Sequence, residues 1–309
     1  MIFKTTFVDR LFLYGGITLF LGLFGRWHWF LDIFSHFRVQ QLILLAVFAA
    51  LMALRKKWGR AAMTVLLIAV FGVPLLPYVP RGNPSGGVPD RSLSVLYINV
   101  NFYNKKFSQV LGLVRDKDPD VLVLSEINEP WDEALRRDLR GYPFGKVSIR
   151  QDNFGLALFS KIPLQNLEMW SLGEAQVPSF RGEFSREGKE YTLWATHPLP
   201  PVGPEYWRMR NEQIRLLREE LDLDPRAKIV VGDLNAAPWC FAFAVAKGRD
   251  LRDAAEGKGV HFSWPSFWPG LLRVPLDHVL VSRDIPVKEY RVQRDIGSDH
   301  LPVFVRLEI

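Results

Sequence analysis

The sequence predicts an α/β domain with layered sheets, preceded by three transmembrane helices. Two observations carry this. The first 80 residues hold three long apolar runs almost free of charge, and beyond them strand-like and helix-like apolar patterns alternate over about 220 residues.

The runs are Leu11 to Gly25, Val39 to Leu54 and Ala61 to Val79, each about the length that a bilayer-crossing helix needs. No small-residue cleavage site follows the first run and two more come after it, which argues against a signal peptide. The first run is short, so it either starts near Phe7 or belongs to a re-entrant turn. Arg55, Lys56, Lys57 and Arg60 crowd the second connection, while Lys4 and Arg10 precede the first helix. The positive-inside rule puts both on the cytoplasmic side and everything from residue 81 outside. The expected organisation is a membrane domain over 1–80, a linker over 81–91 ("PRGNPSGGVPD" begins at Pro80) and a catalytic-type domain over 92–309. In a bacterium this is a multi-pass inner (plasma) membrane protein with its C-terminal domain periplasmic or extracellular.

Between the first two runs lies "RWHWFLDIFSHFR". As a helix it sets Phe30, Phe34 and Phe37 on one face and His28, Asp32 and His36 on another. The polar set has metal-like spacing, but its ordinary reading is the wet face of an interfacial helix. Gly15, Gly16, Gly22 and Gly25 could serve helix pairing, although such glycines are common in membrane helices.

The pI near 9.4 invites a nucleic-acid reading until the charge is located. Residues 1–80 carry eight of the 39 Lys and Arg but two of the 33 Asp and Glu, leaving 31 of each beyond them. The basic excess therefore belongs to membrane topology, and composition implies no phosphate-tracking surface. Cys240 is the only cysteine, so there is no intrachain disulfide framework.

In the outer part, Leu93 to Ile98 reads as a strand; Phe107, Val110, Leu111 and Val114 fall at helical spacing; Val121 to Leu124 is a second buried strand. Further strands are expected at Gly155 to Ser160, Tyr191 to Thr196, Ile229 to Gly232, His278 to Ser282 and Pro302 to Leu307, with a helix from about Glu205 to Leu221.

Polar residues recur where these strands stop. Asn99 and Asn101 follow "SVLYI", Glu126 follows "PDVLVLS", His197 follows "YTLWAT", and Asp233 and Asn235 follow "KIVV"; Asp277 precedes "HVLVS", and Asp299 and His300 precede "LPVFV". A single Asp or Asn after a strand is ordinarily a turn residue, and a lone His is more often packed than catalytic. Recurrence at six strand ends is harder to dismiss, because sheet edges are where α/β folds collect functional side chains. The set is oxygen-rich and lacks cysteine, which suits Mg²⁺ or Mn²⁺ rather than structural zinc. Such a cation with His and Asp suggests hydrolysis at phosphorus.

"LYINVN", "PDVLVLSE", "NFGLALFSK", "THP", "VGDLNAAP", "PLDHVLVS" and "GSDHLPVFV", in this order, resemble the motifs of the endonuclease/exonuclease/phosphatase superfamily, the deoxyribonuclease-I-like fold. The resemblance spans roughly 92–309 and omits the membrane region. It implies a four-layered α/β sandwich, two face-to-face mixed sheets flanked by helices, that hydrolyses phosphoesters with a divalent cation. It also implies that Asn99 and Glu126 hold the metal with support from Asp299. Asp233 then orients or deprotonates the attacking water, and Asn235 donates to the phosphoryl oxygens. His300, oriented by Asp277, acts as general acid/base or charge donor, and His197 contacts the phosphate. Two departures, Ser125 where many nuclease members have Gln and His278 where an aromatic is common, weaken any transfer of nuclease specificity.

Asn101, Asn153, Arg210, Trp264 and Trp268 are the substrate-binding candidates. Asn153 could equally be a turn residue and Arg210 could pair with a surface acid. The two tryptophans sit in "HFSWPSFWPGLL", which is either a well-packed loop or an apolar rim for a bilayer or a base. Three substrate classes stay open: a lipid or lipid-linked phosphoester, extracellular DNA or RNA, and a small soluble ester. A catalytically silent, membrane-tethered binding module is the non-enzymatic alternative; it requires losses in the catalytic set, and none is lost. The sequence leaves the oligomeric state open.

Overall fold

The computed structural model describes residues 7–82 and 92–309. Most of the expected linker, 83–91, lies outside the described residues.

The N-terminal part folds as α1 (Phe7–Gly22), α2 (Trp29–His36), α3 (Arg38–Leu54) and α4 (Trp58–Gly72), which continues as a 3-10 turn over Val73–Tyr78. Three full crossings are not what this backbone provides. Among the described residues only Trp58–Tyr78, with 21 residues, is long and apolar enough to cross a bilayer, and α2 with α3 qualifies only as one span bent by 63°. Helix α1 has 16 residues, about 24 Å at ~1.5 Å per residue, short of the roughly 30 Å hydrocarbon core. It stops early because the chain turns at Gly22–Gly25 to lie against α2; a Cβ at Gly25 would sit 2.9 Å from the Cα of Asp32.

The polar face of α2, expected to be wet, is buried except for His28. His28 caps the helix, its side chain accepting from Phe30 N. Asp32 meets Arg210 of α7 (Pro204–Leu223), with Oδ2 and the guanidinium 2.5 Å apart and both side chains 1% exposed. Trp239 Nε1 donates to the His36 carbonyl at 3.2 Å, and the Ser35 hydroxyl and Cys240 thiol lie 2.9 Å apart. At the end of the 3-10 turn after α4, Tyr78 enters the core and donates its hydroxyl to Asp253 Oδ2 at 3.1 Å. The N-terminal helices are thus docked on the α/β domain by specific polar contacts. Helical periodicity reported which face of α2 is polar, but not that a protein surface covers it.

The α/β domain has two six-stranded sheets. The first has the order β11 (Val287–Val292), β12 (Val303–Glu308), β1 (Ser92–Asn99), β2 (Val121–Ser125), β4 (Leu156–Ser160), β3 (Phe144–Ser148). The second has the order β5 (Gln165–Ser171), β6 (Pro178–Arg186), β7 (Lys189–Thr196), β8 (Ala227–Asp233), β10 (Asp277–Ser282), β9 (Leu251–Asp253). Both are mixed: β1 with β2 and β7 with β8 run parallel, the remaining pairs antiparallel.

Alternate side chains of each central strand serve two cores. Val95 and Tyr97 of β1 face Ile229 and Val231 of β8 between the sheets. Leu96 and Ile98 turn outward to α5 (Phe107–Lys117) and to Trp131 of α6 (Glu129–Asp138), while Trp194 and Val230 turn outward to α7 and α8 (Phe241–Lys247). Two mixed sheets flanked by helices is the expected sandwich.

An arginine buried beside a buried aspartate makes a sharp test. Arg210→Met leaves the buried Asp32 carboxyl without its ion-pair partner, which should cost about 3–5 kcal/mol. Replacing both, as Asp32→Leu with Arg210→Met, should recover most of it. Unfolding followed in detergent micelles measures this, and equal losses in the single and double variants would contradict it.

Candidate active site

The strand directions gather the polar residues at one end of the sandwich. Parallel neighbours β1 and β2, and likewise β7 and β8, deliver Asn99, Glu126, His197 and Asp233 from their C-terminal ends. Antiparallel β10 and β12 begin at that same end, which brings Asp277 and the Asp299–His300 pair. Gly232 is required here: a Cβ would lie 1.8 Å from the Thr196 carbonyl, so only glycine lets β8 run this close to β7. Glu126, Asn101 and Asn235 all hold left-handed backbone, with φ of 65°, 60° and 46°. Such backbone is uncommon for a glutamate, whereas asparagine adopts it more readily.

Asp277 and Asp233 are direct partners across β10 and β8, an arrangement that repels two carboxylates. His300 bridges them. Its Nδ1 lies 2.9 Å from Asp277 Oδ2 and its Nε2 3.6 Å from Asp233 Oδ2. Burial opposes charge on this imidazole, but the Asp277 and Asp233 carboxylates overcome it and raise its pKa to about 10. Burial, with Asp277 and Glu126 adding to it against His300, lifts Asp233 to about 7. His197 sits on the other side of Asp233, Nε2 at 3.7 Å, and burial together with the His300 charge depresses it to about 3. One buried histidine is therefore held charged and the other neutral.

Asn99 Nδ2 donates to Glu126 Oε1 at 2.9 Å and reaches Asp233 Oδ2 at 3.5 Å, and the Phe102 amide donates to Glu126 Oε2 at 2.8 Å. Burial raises the Glu126 pKa, and these donors only partly offset it. Asp299 is held by Asn101 Nδ2 at 2.6 Å and Trp264 Nε1 at 3.1 Å. Among the described residues no Lys or Arg pairs with Glu126, Asp233, Asp277 or Asp299. Four carboxylates facing mainly one charged imidazole form a hard-oxygen, negatively biased pocket, and such a donor set fits a divalent cation. The ligand atoms of Asp233, Asp277 and His300 also cluster, but Asp277 and His300 are engaged with each other, whereas Glu126 and Asp299 accept only from neutral donors, which leaves their charge for a cation.

These groups border a cavity of about 570 Å³ whose wall includes Glu126, Asn153, His197, Asp233, Asn235, Trp264, Asp299 and His300. Asn235 donates Nδ2 to the Pro198 carbonyl at 2.9 Å, which aims its amide from the wall. Several expected substrate contacts fall elsewhere. Arg210 is buried behind the loop, donating to the Asn235 carbonyl at 3.0 Å and pairing with Asp32, so it positions the loop instead of meeting substrate or pairing with a surface acid. Asn101 is committed to Asp299, and Trp268 lines a different cavity with Leu272; Trp264 stays in the active-site wall while its indole nitrogen holds Asp299. Ser125 hydrogen-bonds Tyr97, and His278 bridges Asp253 and the Ala236 carbonyl.

Sequence reasoning missed Ile33, His36 and Phe37 of the α2 end, which form part of the active-site wall. The only signal was the polar stripe His28, Asp32, His36. The trio Asp32, His36 and Cys240 also brings ligand atoms together, but Asp32 already neutralises Arg210.

Residues 96–300 match the Endonuclease/Exonuclease/phosphatase family. A comparison with curated proteins finds no match. Solved structures share the fold. D. rerio TDP2 complexed with single strand DNA product has a TM-score of 0.61 at 16% identity, covering 71% of this chain and 100% of that one. A Bacteroides thetaiotaomicron mannosyl-6-phosphatase has 0.59 at 20%, covering 70% and 100%. The human Nocturnin catalytic domain has 0.56 at 18%, covering 72% and 96%.

The raised His300 pKa has a consequence for stability. A histidine with a raised folded-state pKa contributes stability that is fully present below its unfolded value of 6.5 and is lost as pH climbs to about 10. In EDTA the unfolding midpoint should therefore fall across that window, and His300→Gln should flatten the fall. A wild-type profile as flat as the variant's would show that His300 is not held charged.

Proposed function

The chain belongs to the endonuclease/exonuclease/phosphatase family, and on that premise we propose that it is a membrane-anchored, divalent-metal-dependent phosphodiester hydrolase acting on lipid or lipid-linked phosphoesters. The observation that carries the reaction class is the His300 bridge between two in-register carboxylates beside the Asn99–Glu126 pair.

Asp233, lifted to about 7, is matched to proton transfer near neutral pH and accepts a proton from the attacking water at Oδ2. His300, fixed by Asp277, presents a cationic Nε2 to the phosphoryl group or its leaving oxygen. Neutral His197 and the Asn235 amide face the same cavity and serve the equatorial oxygens. Glu126, with Asp299 beside it, would hold Mg²⁺ or Mn²⁺, which supplies charge neutralisation at the phosphoryl oxygens.

The substrate class rests on the walls. Among the described residues lining the cavity none is Lys or Arg, whereas Ile33, Phe37, Val202, Val274 and Leu276 are apolar. A nucleic-acid channel needs cations along the backbone path. Membrane anchoring is supported by apolar side chains turned outward on the N-terminal helices, Leu13, Ile17 and Phe20 on α1 and Met63, Leu66 and Val70 on α4. The basic connection Arg55–Arg60 lies at the end of α3 far from the active site, which supports a catalytic domain on the non-cytoplasmic face.

Protein purified in detergent should hydrolyse bis(p-nitrophenyl) phosphate with Mg²⁺ or Mn²⁺ and stop on addition of EDTA. Glu126→Gln and His300→Ala should each lower kcat at least ~100-fold without loss of fold by circular dichroism. Full activity of His300→Ala, or in EDTA, would refute the mechanism.

A further inference from the structure

A second cavity, about 490 Å³, lies between α1, the α2–α3 bend and the loop before β10. Its wall includes Tyr14, Ile33, Phe37, Leu44, Trp268 and Leu272. Ile33 and Phe37 also line the active-site cavity, so the two spaces share one apolar partition. Each falls within the roughly 300–1,000 Å³ of small-molecule sites.

Three polar side chains in this wall donate to backbone carbonyls, and the Gln40 amide oxygen is buried without a partner among the described residues. Gln40 Nε2 donates to the Leu271 and Arg273 carbonyls at 3.0 and 2.7 Å, which ties the aromatic loop to α3 and sets the width of the groove. Gln41 Nε2 donates to the Phe34 carbonyl at 3.0 Å, and the Thr18 hydroxyl to the Tyr14 carbonyl at 2.7 Å. What remains towards the space is chiefly hydrocarbon and ring. Trp268 of this wall is exposed, as are its chain neighbours Phe267 and Leu271, and α1 contributes the exposed Tyr14 to the same wall.

We infer that this groove holds one hydrocarbon chain of a lipid phosphoester whose phosphate lies at Asp233 and His300. The inference rests on the phosphoesterase reading and adds to it a defined chain site. Adjacency selects the occupant: a molecule with its ester at Asn235 and His300 that passes over Ile33 and Phe37 enters the second space, where apolar atoms are complementary. Trp268 and Leu272 then act on the lipid chain, and the α2 bend places membrane-embedded residues directly beside the reacting centre.

The test uses the full-length protein in nanodiscs with hexadecyl phosphate bearing a terminal diazirine, followed by peptide mapping of the photo-adducts. Adducts are expected within 14–18, 33–44 and 267–272, and Leu44→Trp and Leu272→Trp, which fill the groove from opposite walls, should each lower them at least fivefold with an unchanged unfolding midpoint. If one variant fails to fold, the other decides. Adducts spread over the outward faces of α1 and α4 and unchanged by either variant would overturn the groove. Hydrolysis of bis(p-nitrophenyl) phosphate by the same wild-type preparation separates the two readings: a labelled groove without turnover refutes the enzyme and keeps the groove, and turnover with scattered adducts does the reverse.

Discussion

A charge with almost no access to water holds this molecule together. Arg210 is 1% exposed, and a guanidinium so buried needs an anion, which comes from another part of the chain: Asp32 of α2. The same guanidinium donates to the carbonyl of Asn235. The left-handed turn that carries Asn235 past Asp233 is thereby fixed from behind by Arg210, which is itself held by a residue of the N-terminal helices. A second chain of contacts, Tyr78 to Asp253 to His278 to the Ala236 carbonyl, fixes the next residue from the 3-10 turn after α4. Docking of the helices and geometry of the catalytic turn are one structural problem.

The site then follows from charge. Placing Asp233 opposite Asp277 in register, with Glu126 nearby, concentrates negative charge in a buried pocket, and the fold answers with one imidazole held cationic between two of the carboxylates. The remaining negative bias is what a divalent cation would satisfy. His197, close to the same carboxylate, is kept neutral by burial and by the His300 charge, so two identical side chains have different protonation.

What the sequence disclosed and what it hid divide along physical lines. Central strands buried on both faces read as continuous apolar runs, and β1, β2, β4, β7, β8, β10 and β12 were each legible for that reason. The four strands at sheet edges, β3, β5, β9 and β11, escaped because half of each is solvated or the strand is very short. Interior β6 escaped as well, because Gly, Arg and Glu interrupt its apolar positions. Polar residues at the ends of legible strands were conspicuous, which is why Glu126, Asp233, Asp277 and His300 could be picked out. Roles that depend on tertiary docking were not visible. Arg210 looked like a surface or substrate residue, and the Asp32 face of α2 looked wet, because neither partner is near the other in sequence. The three apolar runs showed where helices form, but not that glycine packing would cut α1 short or that α2 would bend away from α3.

The central claim is that these helices and this carboxylate cluster make one site for a lipid phosphoester. Its most direct test is ³¹P NMR of the full-length protein in Mg²⁺-containing nanodiscs of diester phospholipid, with a DNA oligonucleotide in the surrounding buffer. The account predicts conversion of the diester resonance to a monoester resonance, abolished by Asp233→Asn, with the oligonucleotide intact. Unchanged lipid alongside a cleaved oligonucleotide would contradict it.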